Sequence, residues 1–366
     1  MIKIKIGRLI RIVGGTALAS SLLAGLLTIG TTPASAASDA CKREAAAMPA
    51  PWHSATARST ASPGNAYDRA PMYVPPYPKA QQAADQAAAA GDAAKAKRLR
   101  RIAAQPRGIW FTDGRVGGAD LTARVADVVT AARKAGRVAT LVMYAIPLRD
   151  CGGYSSGGAA SGQAYVSWVK AFRAGLLQGG VGKGPGVSVI IEPDALALLG
   201  NLPSDRQAER LELIKAAANL MAWTPKTSGY LDAATRGWIP ADVMADRLSR
   251  AGVGMARGFS LNVANFNALP GEVRYGNQIV GRIGWKHFVI DTGRNGNGAN
   301  GQFCNPDGRA LGTVPQARPG GRVDAYLWVK PPGESDGDCS EGDPPAGEFF
   351  SSYANELAVN AGWYTG

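Results

Sequence analysis

The stretch Val187-Ser188-Val189-Ile190-Ile191-Glu192-Pro193-Asp194-Ala195-Leu196 decides how the chain is read. Its first half is an apolar run of strand length, and two carboxylates close it with Pro193 fixing the backbone between them. A carboxyl buried against apolar walls has a raised pKa, as a general acid working near neutral pH requires. The plainer reading of Asp194 is a cap for the helix that follows.

Working outward, the same kind of run recurs at Gly108–Phe111, Val138–Tyr144, Gly229–Leu231, Gly258–Leu261, His287–Ile290 and Val323–Val329. Helix-like stretches lie between most of them, at 121–135, 163–178, 206–222, 240–251 and 271–282, the first with Asp120 as N-cap and Gly136 just past its end. Strands alternating with helices predict βα units and a parallel sheet, as a barrel or a doubly wound sheet. Asp113, Asp150, Asp194, Asp232, Asn262, Asp291 and Asp336 all fall at or just past strand C-termini. In a parallel barrel those ends converge on one face, where active sites form. Two or three of the aspartates are expected to be structural.

The N-terminus carries a different message. Lys3, Lys5, Arg8 and Arg11, an apolar run from Ile12 to Ile29, and Ala34-Ser35-Ala36 have the layout of a secretory signal with cleavage after Ala36. Cleavage removes four basic residues and no acids, so the net charge falls from +12 to +8. Residues 37–66, rich in Ala, Ser and Pro, read as a mobile lead, and 80–104 as a long helix broken at Gly91. The basic residues are spread through helix-like segments without zinc-finger or RNA-binding spacing, which speaks against a nucleic-acid partner. Four cysteines in an exported chain predict two disulfides. Cys304 and Cys339 flank one segment and favour a local pair, which leaves Cys41 and Cys151. With two histidines (His53 and His287), no Cys-x-x-Cys and no His-Glu-x-x-His, a catalytic zinc site is not expected. Gly179–Gly184 lacks the spacing of a phosphate loop, and Asp291–Gly298 reads as a surface loop.

Two further segments carry chemistry. In Val142–Gly158 a buried strand runs through Pro147 into Arg149-Asp150 and a Gly/Ser loop whose hydroxyls can hold a water. An ordinary loop with a salt bridge is the plainer alternative. In Trp328–Gly337 a strand is followed by Lys330, Glu334 and Asp336, where Asp336 is either a base or the start of a turn.

Together these segments resemble glycoside hydrolase family 6, the bacterial and fungal cellulases. Tyr144–Gly158 matches the first family signature and Ile190–Ala197 the second. Tyr230-Leu231-Asp232, Gly258 through Phe266, Phe288 through Asn297 and Cys304-Asn305-Pro306 are family-like and in family order, covering roughly residues 70–366. The resemblance implies an α/β fold, a distorted (β/α) barrel of about seven parallel strands, with residues 67–366 as a single catalytic domain. It implies a secreted, monomeric, inverting β-1,4-glucanase that needs no cofactor and has no membrane partner after cleavage. Asp194 would be the general acid and Asp150 its companion, raising the acid's pKa and relaying a proton from water. Asp336 aligns with the proposed general base, which can act through a water chain, and Asp232 would be electrostatic. Tyr144 would press on the sugar ring and Ser156 would position the attacking water. Trp110 and Trp238 would stack on sugars, with Lys330, Glu334, Phe303 and Asn265 as further substrate contacts. Trp168 and Trp223, inside helix-like stretches, are expected in the core.

Several features depart from the family pattern. The family pairs the cysteine after Arg-Asp with one downstream of Glu-Pro-Asp, yet 195–223 holds no cysteine. Cys151 is therefore expected to bridge to Cys41, strapping the N-terminus beside the site, while Cys304–Cys339 matches the family's second bridge. Thr235 stands where His is common and Phe303 where Trp is common. Cellobiohydrolases of the family roof their sites with long loops, so the compact catalytic region favours endo action over exo. A noncatalytic glucan-binding protein is the alternative from another class, but it has no need of four like charges at Asp150, Asp194, Asp232 and Asp336.

Overall fold

The computed structural model describes residues 33–53, 64–114 and 118–363, with side chains from Asp39 onward. The bulk of the expected export signal lies outside the described residues. All seven expected strands are present: β1 (Ile109–Phe111), β2 (Ala139–Met143), β3 (Val187–Ile191), β4 (Thr227–Asp232), β5 (Gly258–Leu261), β6 (His287–Asp291) and β8 (Val323–Leu327). They pair in parallel in that order, and β7 (Gln316–Gly320) lies antiparallel on the outer edge of β8. β7 was not legible because Pro319 and Gly320 disfavour a strand; an edge position tolerates them. The sheet curls until the Gly108 N–H donates to the Trp328 carbonyl at 2.8 Å. A Cβ at Gly108 would stand 2.3 Å from the Val329 carbonyl oxygen, so only glycine lets the two ends of the curl meet.

Period-two alternation sorts the strand side chains into two layers. Val142, Ile190, Tyr230, Val289, Ala325 and Leu327 fill the barrel interior. Leu141, Met143, Val189, Ile191, Phe259 and Ile290 face outward against the helices. Both faces are thereby covered, as a parallel sheet requires. The covering helices are α4 (Gly118–Lys134), α5 (Gly162–Gln178), α6 (Ser204–Ala222), α7 (Ala241–Arg250) and α8 (Leu269–Ile283). Asp120 sits inside the first turn of α4 rather than at its N-cap, because the helix starts two residues earlier. The helix expected over 80–104 is split into α2 (Pro78–Ala89) and α3 (Ala93–Ala103), with Gly91 at φ 82° between them. α9 (Ser351–Asn360), which has no signal in the sequence reading, packs Leu357 and Tyr353 against Leu99 and Ile102 of α3.

Of the segment 37–66 expected to be a mobile lead, the described parts pack onto the fold, and residues 54–63 lie outside the described residues. α1 (Pro33–Ala47) is helical and buries Cys41 and Ala45. Farther on, Asn65 and Ala66 are buried and Tyr67 plugs the N-terminal end of the barrel. Its hydroxyl lies 2.8 Å from Thr140 Oγ1, and the Ala66 N–H donates to Ser228 Oγ at 2.9 Å. The small polar side chains at the strand starts are what admit this plug. Both expected disulfides form, Cys41–Cys151 and Cys304–Cys339, with Cα separations of 5.3 and 6.2 Å. Trp168 is core, but Trp223 is 60 % exposed, because it is the C-cap just past the end of α6. Among the described residues no helix is long and apolar enough to cross a membrane.

Candidate active site

The strand C-termini deliver the carboxylates to one mouth, and the backbone there is unusual. Leu148, Asp150, Glu192, Asp194, Ala234, Asn262, Ala264 and Asn305 all have positive φ. Non-glycine residues avoid that region at a cost of about 1–3 kcal/mol each, so such clustering marks a site that surrounding structure over-determines.

At the end of β3 the two carboxylates diverge. Glu192 turns inward and accepts the Ala145 N–H at 3.0 Å and the Ile146 N–H at 3.0 Å. Burial pushes its carboxyl up to about 7 against those hydrogen bonds. It fastens the end of β2 and does not reach the mouth. Asp194 opens partly to solvent, and its backbone N–H donates to Asp232 Oδ2 at 3.0 Å. Its pKa is raised well above the ordinary value, first by burial and then by the charges of Asp232 and Asp150, with Lys330 opposing. Asp232, at the end of β4, also accepts from the Ala234 N–H and the Ser260 hydroxyl, each at 3.0 Å. Burial pushes its carboxyl up to about 7 despite these donors. Three donors favour the ionised form of Asp232, so within this pair Asp194 holds the proton.

Asp150 occupies the loop after β2. Its Oδ2 accepts the Ser155 N–H at 2.8 Å, and burial raises its pKa. Arg149 makes no salt bridge with it. Instead the guanidinium reaches the carbonyls of Tyr144 (2.8 Å), Ser155 (2.9 Å) and Thr112, and lies 4.6 Å over the Tyr144 ring. Tyr144 is buried edge-on to Trp110 at 5.3 Å, and the Trp110 indole N–H donates to the Val329 carbonyl at 2.8 Å. Ser156 is exposed in the turn that Arg149 holds.

Asp336 is clamped. Arg294 grips it with two hydrogen bonds of 2.7 and 3.0 Å, Lys330 Nζ stands 3.1 Å away, and the Asn305 N–H donates at 3.0 Å. Burial alone raises its pKa, but Arg294 and Lys330 outweigh burial and hold the carboxyl at about 2. Arg294 and Asn295 are buried, so the stretch read as a surface loop is interior over its first half, where the Arg294–Asp336 pair draws it in. Asp291 is structural: its carboxylate accepts the N–H groups of Gly293, Ala264 and Lys330, tying three loops together.

The remaining sequence candidates lie around this centre. Glu334 is 3.4 Å from the Tyr77 hydroxyl, and burial raises its pKa. Asn265 donates to the Val263 carbonyl at 2.9 Å. Trp238 is 40 % exposed and Phe303 69 %. Phe303 fronts a cavity of about 660 Å³ that is lined by Asn305, Asp343, Tyr353 and Glu356 but by none of the four catalytic candidates. Thr235 is buried and bonded to Glu272 and Asn262 at 2.9 and 3.0 Å, so it belongs to the support of the β4 loop. The sequence reading missed Arg149, Glu192, Ser260, Arg294 and Asn305 as site builders. All five stood inside quoted segments, but their bonding roles show themselves only through spatial partners.

The family model for glycosyl hydrolases family 6 matches residues 67–361. Endoglucanase A of Cellulomonas fimi is 42 % identical over 266 residues, covering 72 % of this chain and 56 % of that protein. Endoglucanase 1 of Streptomyces halstedii is 40 % identical, covering 82 % of this chain and 93 % of that protein. The chain spans 56 % and 65 % of the length of two endoglucanase A relatives, from Cellulomonas fimi and Thermobispora bispora. Among solved structures, the endoglucanase Cel6 of Mycobacterium tuberculosis, in complex with a thio-linked methyl-cellobiosyl cellobioside, superposes with a TM-score of 0.75 at 42 % identity. That match covers 82 % of this chain and all of the other.

Proposed function

Since the chain belongs to glycosyl hydrolases family 6, we propose that it is a secreted, inverting, endo-acting β-1,4-glucanase, with Asp194 as its general acid. The observation that carries this reading is the pairing of Asp194 with Asp232, in which burial and the neighbouring charge keep the proton on the partly exposed partner. A general acid must hold its proton near neutral pH and stand where the leaving glycosidic oxygen can reach it.

Inversion needs a water delivered to the opposite face of the sugar. The held state of Asp336 supports a relay over direct proton uptake. A carboxylate at about 2 accepts a proton about 2–3 kcal/mol less readily than an ordinary aspartate. Asp150, partly exposed and with its pKa raised, is the better first acceptor from a water ordered by the Ser156 turn. Asp336, held ionised by Arg294 and Lys330, then stays a fixed acceptor beside the relay. Tyr144, wedged by Trp110 and Arg149, offers a rigid surface for the distorted ring.

Endo action draws support from the endoglucanase names of the relatives at 38–42 % identity, whereas cellobiohydrolase names appear at 34 % and below. The exposure of Trp238 and Phe303 fits an open cleft that takes a chain in its middle. The test is NMR of cellohexaose digestion by wild type and Asp194→Ala, following anomeric protons from the first minute. New α-anomers spread over several lengths, and lost in the variant, are expected. Cellobiose as sole product would make the enzyme exo-acting, and absence of cleavage by folded protein would overturn the glucanase reading.

A further inference from the structure

We propose that the N-terminal segment 39–52 is a positioning element for the reaction, with Cys41 as the residue that holds the Asp150 loop in its working geometry. The proposal rests on the assignment of Asp150 to the proton relay.

The loop does not hold itself. Leu148 and Asp150 both carry positive φ, at 55° and 44°, a conformation that such residues leave when released. From the barrel side Arg149 gathers the loop's carbonyls, and Arg210 of α6 donates to those of Pro147 (2.7 Å) and Leu148 (3.0 Å). The same Arg210 reaches the carbonyl of Ala195, next to Asp194, at 3.2 Å, so one buried guanidinium sets the loop of the relay against that of the acid.

The outer side of the loop is covered by the N-terminal segment together with Leu202. Cys41 is bridged to Cys151, the residue after Asp150, and Cys41, Ala45, Leu148, Cys151 and Leu202 form one buried apolar cluster. One helical turn before Arg210, Arg206 donates to the carbonyls of Pro49 (2.6 Å), Met48 and Ala45 and so satisfies the C-terminal end of α1. Its ion partner Glu209, 2.8 Å away, accepts the Trp52 N–H at 2.8 Å. Gly162, at the start of α5, leaves room for this docking: a Cβ there would stand 2.5 Å from both Trp52 Cβ and Glu209 Oε1. One face of α6 thus bolts down the strap, the Asp150 loop and the Asp194 loop together. A segment joined by a covalent bridge, hydrogen-bonded to a buried ion pair of α6 and accommodated by a tailored glycine is part of the catalytic scaffold.

The experiment compares wild type with the Cys41→Ala/Cys151→Ala variant in two measurements on the full chain. Steady-state hydrolysis of cellohexaose is expected to lose about tenfold in kcat with KM within twofold, because small displacements of a catalytic group cost rate more than binding. Hydrogen exchange, measured without substrate well below the melting temperature, is expected to accelerate at the amides of residues 148–157 and to stay unchanged across the β-strands. A segment that merely adds stability would lower the melting temperature and leave kcat per folded molecule and exchange at 148–157 unchanged; that result overturns the proposal. If the double variant fails to fold, Arg206→Lys, which keeps the charge and reaches fewer carbonyls, is judged by the same readouts and the same outcomes. Absence of glucan cleavage by wild type would sink the glucanase assignment, while the exchange arm still decides whether the strap holds the loop.

Discussion

Arg294→Met isolates the feature that most constrains the mechanism, the clamp on Asp336. The substitution keeps volume but removes both hydrogen bonds to the carboxylate, the contact with the Ala264 carbonyl and the guanidinium lying 4.3 Å over Phe266. Asp336, its side chain 11 % exposed, would be left with Lys330 and the Asn305 N–H. Breaking one side of a buried pair costs about 3–5 kcal/mol at neutral pH. The pH dependence gives the sharper test. The folded-state pKa of Asp336 is depressed to about 2, below the unfolded value of about 3.9, so its stabilisation is present above pH 4 and lost as pH falls toward 2. It amounts to about 2.5 kcal/mol, roughly half of it gone by pH 3. In the variant the carboxyl moves back toward its ordinary range and loses little over the same window. Urea unfolding of both proteins at pH 7 and pH 3 should therefore show a penalty smaller at pH 3 by about 1 kcal/mol. An equal or larger penalty at pH 3 would refute the clamp as described, and with it the case against Asp336 as a direct base.

Two further predictions bear on the acid and on the cleft. Asp232→Asn removes a charge that raises the Asp194 pKa, so the acid should ionise earlier and the alkaline limb of kcat should move down by about one pH unit or more; a limb that stays in place in a pH–rate profile contradicts the pairing. Phe303→Trp, at a position 69 % exposed, adds stacking area and an N–H donor, and should lower KM for long oligosaccharides about two- to fivefold with kcat unchanged. Identical KM values for both proteins on cellohexaose would remove Phe303 from the path of the substrate.

What was legible in the sequence follows from the range of the forces involved. The seven parallel strands showed because most are buried on both faces and so spelled out as apolar runs, Val187–Ile191 most clearly. β7 and α9 did not show: the first is a proline-bearing edge and the second packs on α3 through only part of its surface. Asp150, Asp194, Asp232 and Asp336 were named because a carboxylate at a strand end is a local pattern. Their division of labour was not local. Nothing near residue 336 announces that Arg294, 42 positions earlier, takes its charge. Nothing near Glu192 says that its carboxylate bonds backward to Ala145 and Ile146 while Asp194, two residues on, stays at the mouth. The departure at the cysteines was the exception, since an unpartnered Cys151 left Cys41 as its available mate.

The site also shows how four aspartates share one mouth without mutual repulsion undoing the fold. Their surroundings separate them in proton affinity. Asp336 is charged and fully compensated by Arg294 and Lys330, and Asp232 is buried under three donors. Asp194, Asp150 and Asp232 all have raised pKa values, burial being the main cause, and of these Asp194 and Asp150 have the fewest fixed partners. In the proposed mechanism the proton moves through Asp194 and Asp150, whose pKa values are raised and which open partly to solvent, while Asp336 is held ionised. That division suits the proposed proton transfer through an ordered water, in which accessible carboxyls exchange the proton and a carboxylate held well below neutral pH does not titrate with them. It also explains why the supporting residues are so heavily bonded. A carboxyl keeps a shifted pKa only while its neighbours stay where they are, so the backbone locks made by Glu192, Asp291, Arg149 and Arg210 are conditions of the chemistry as much as of the fold.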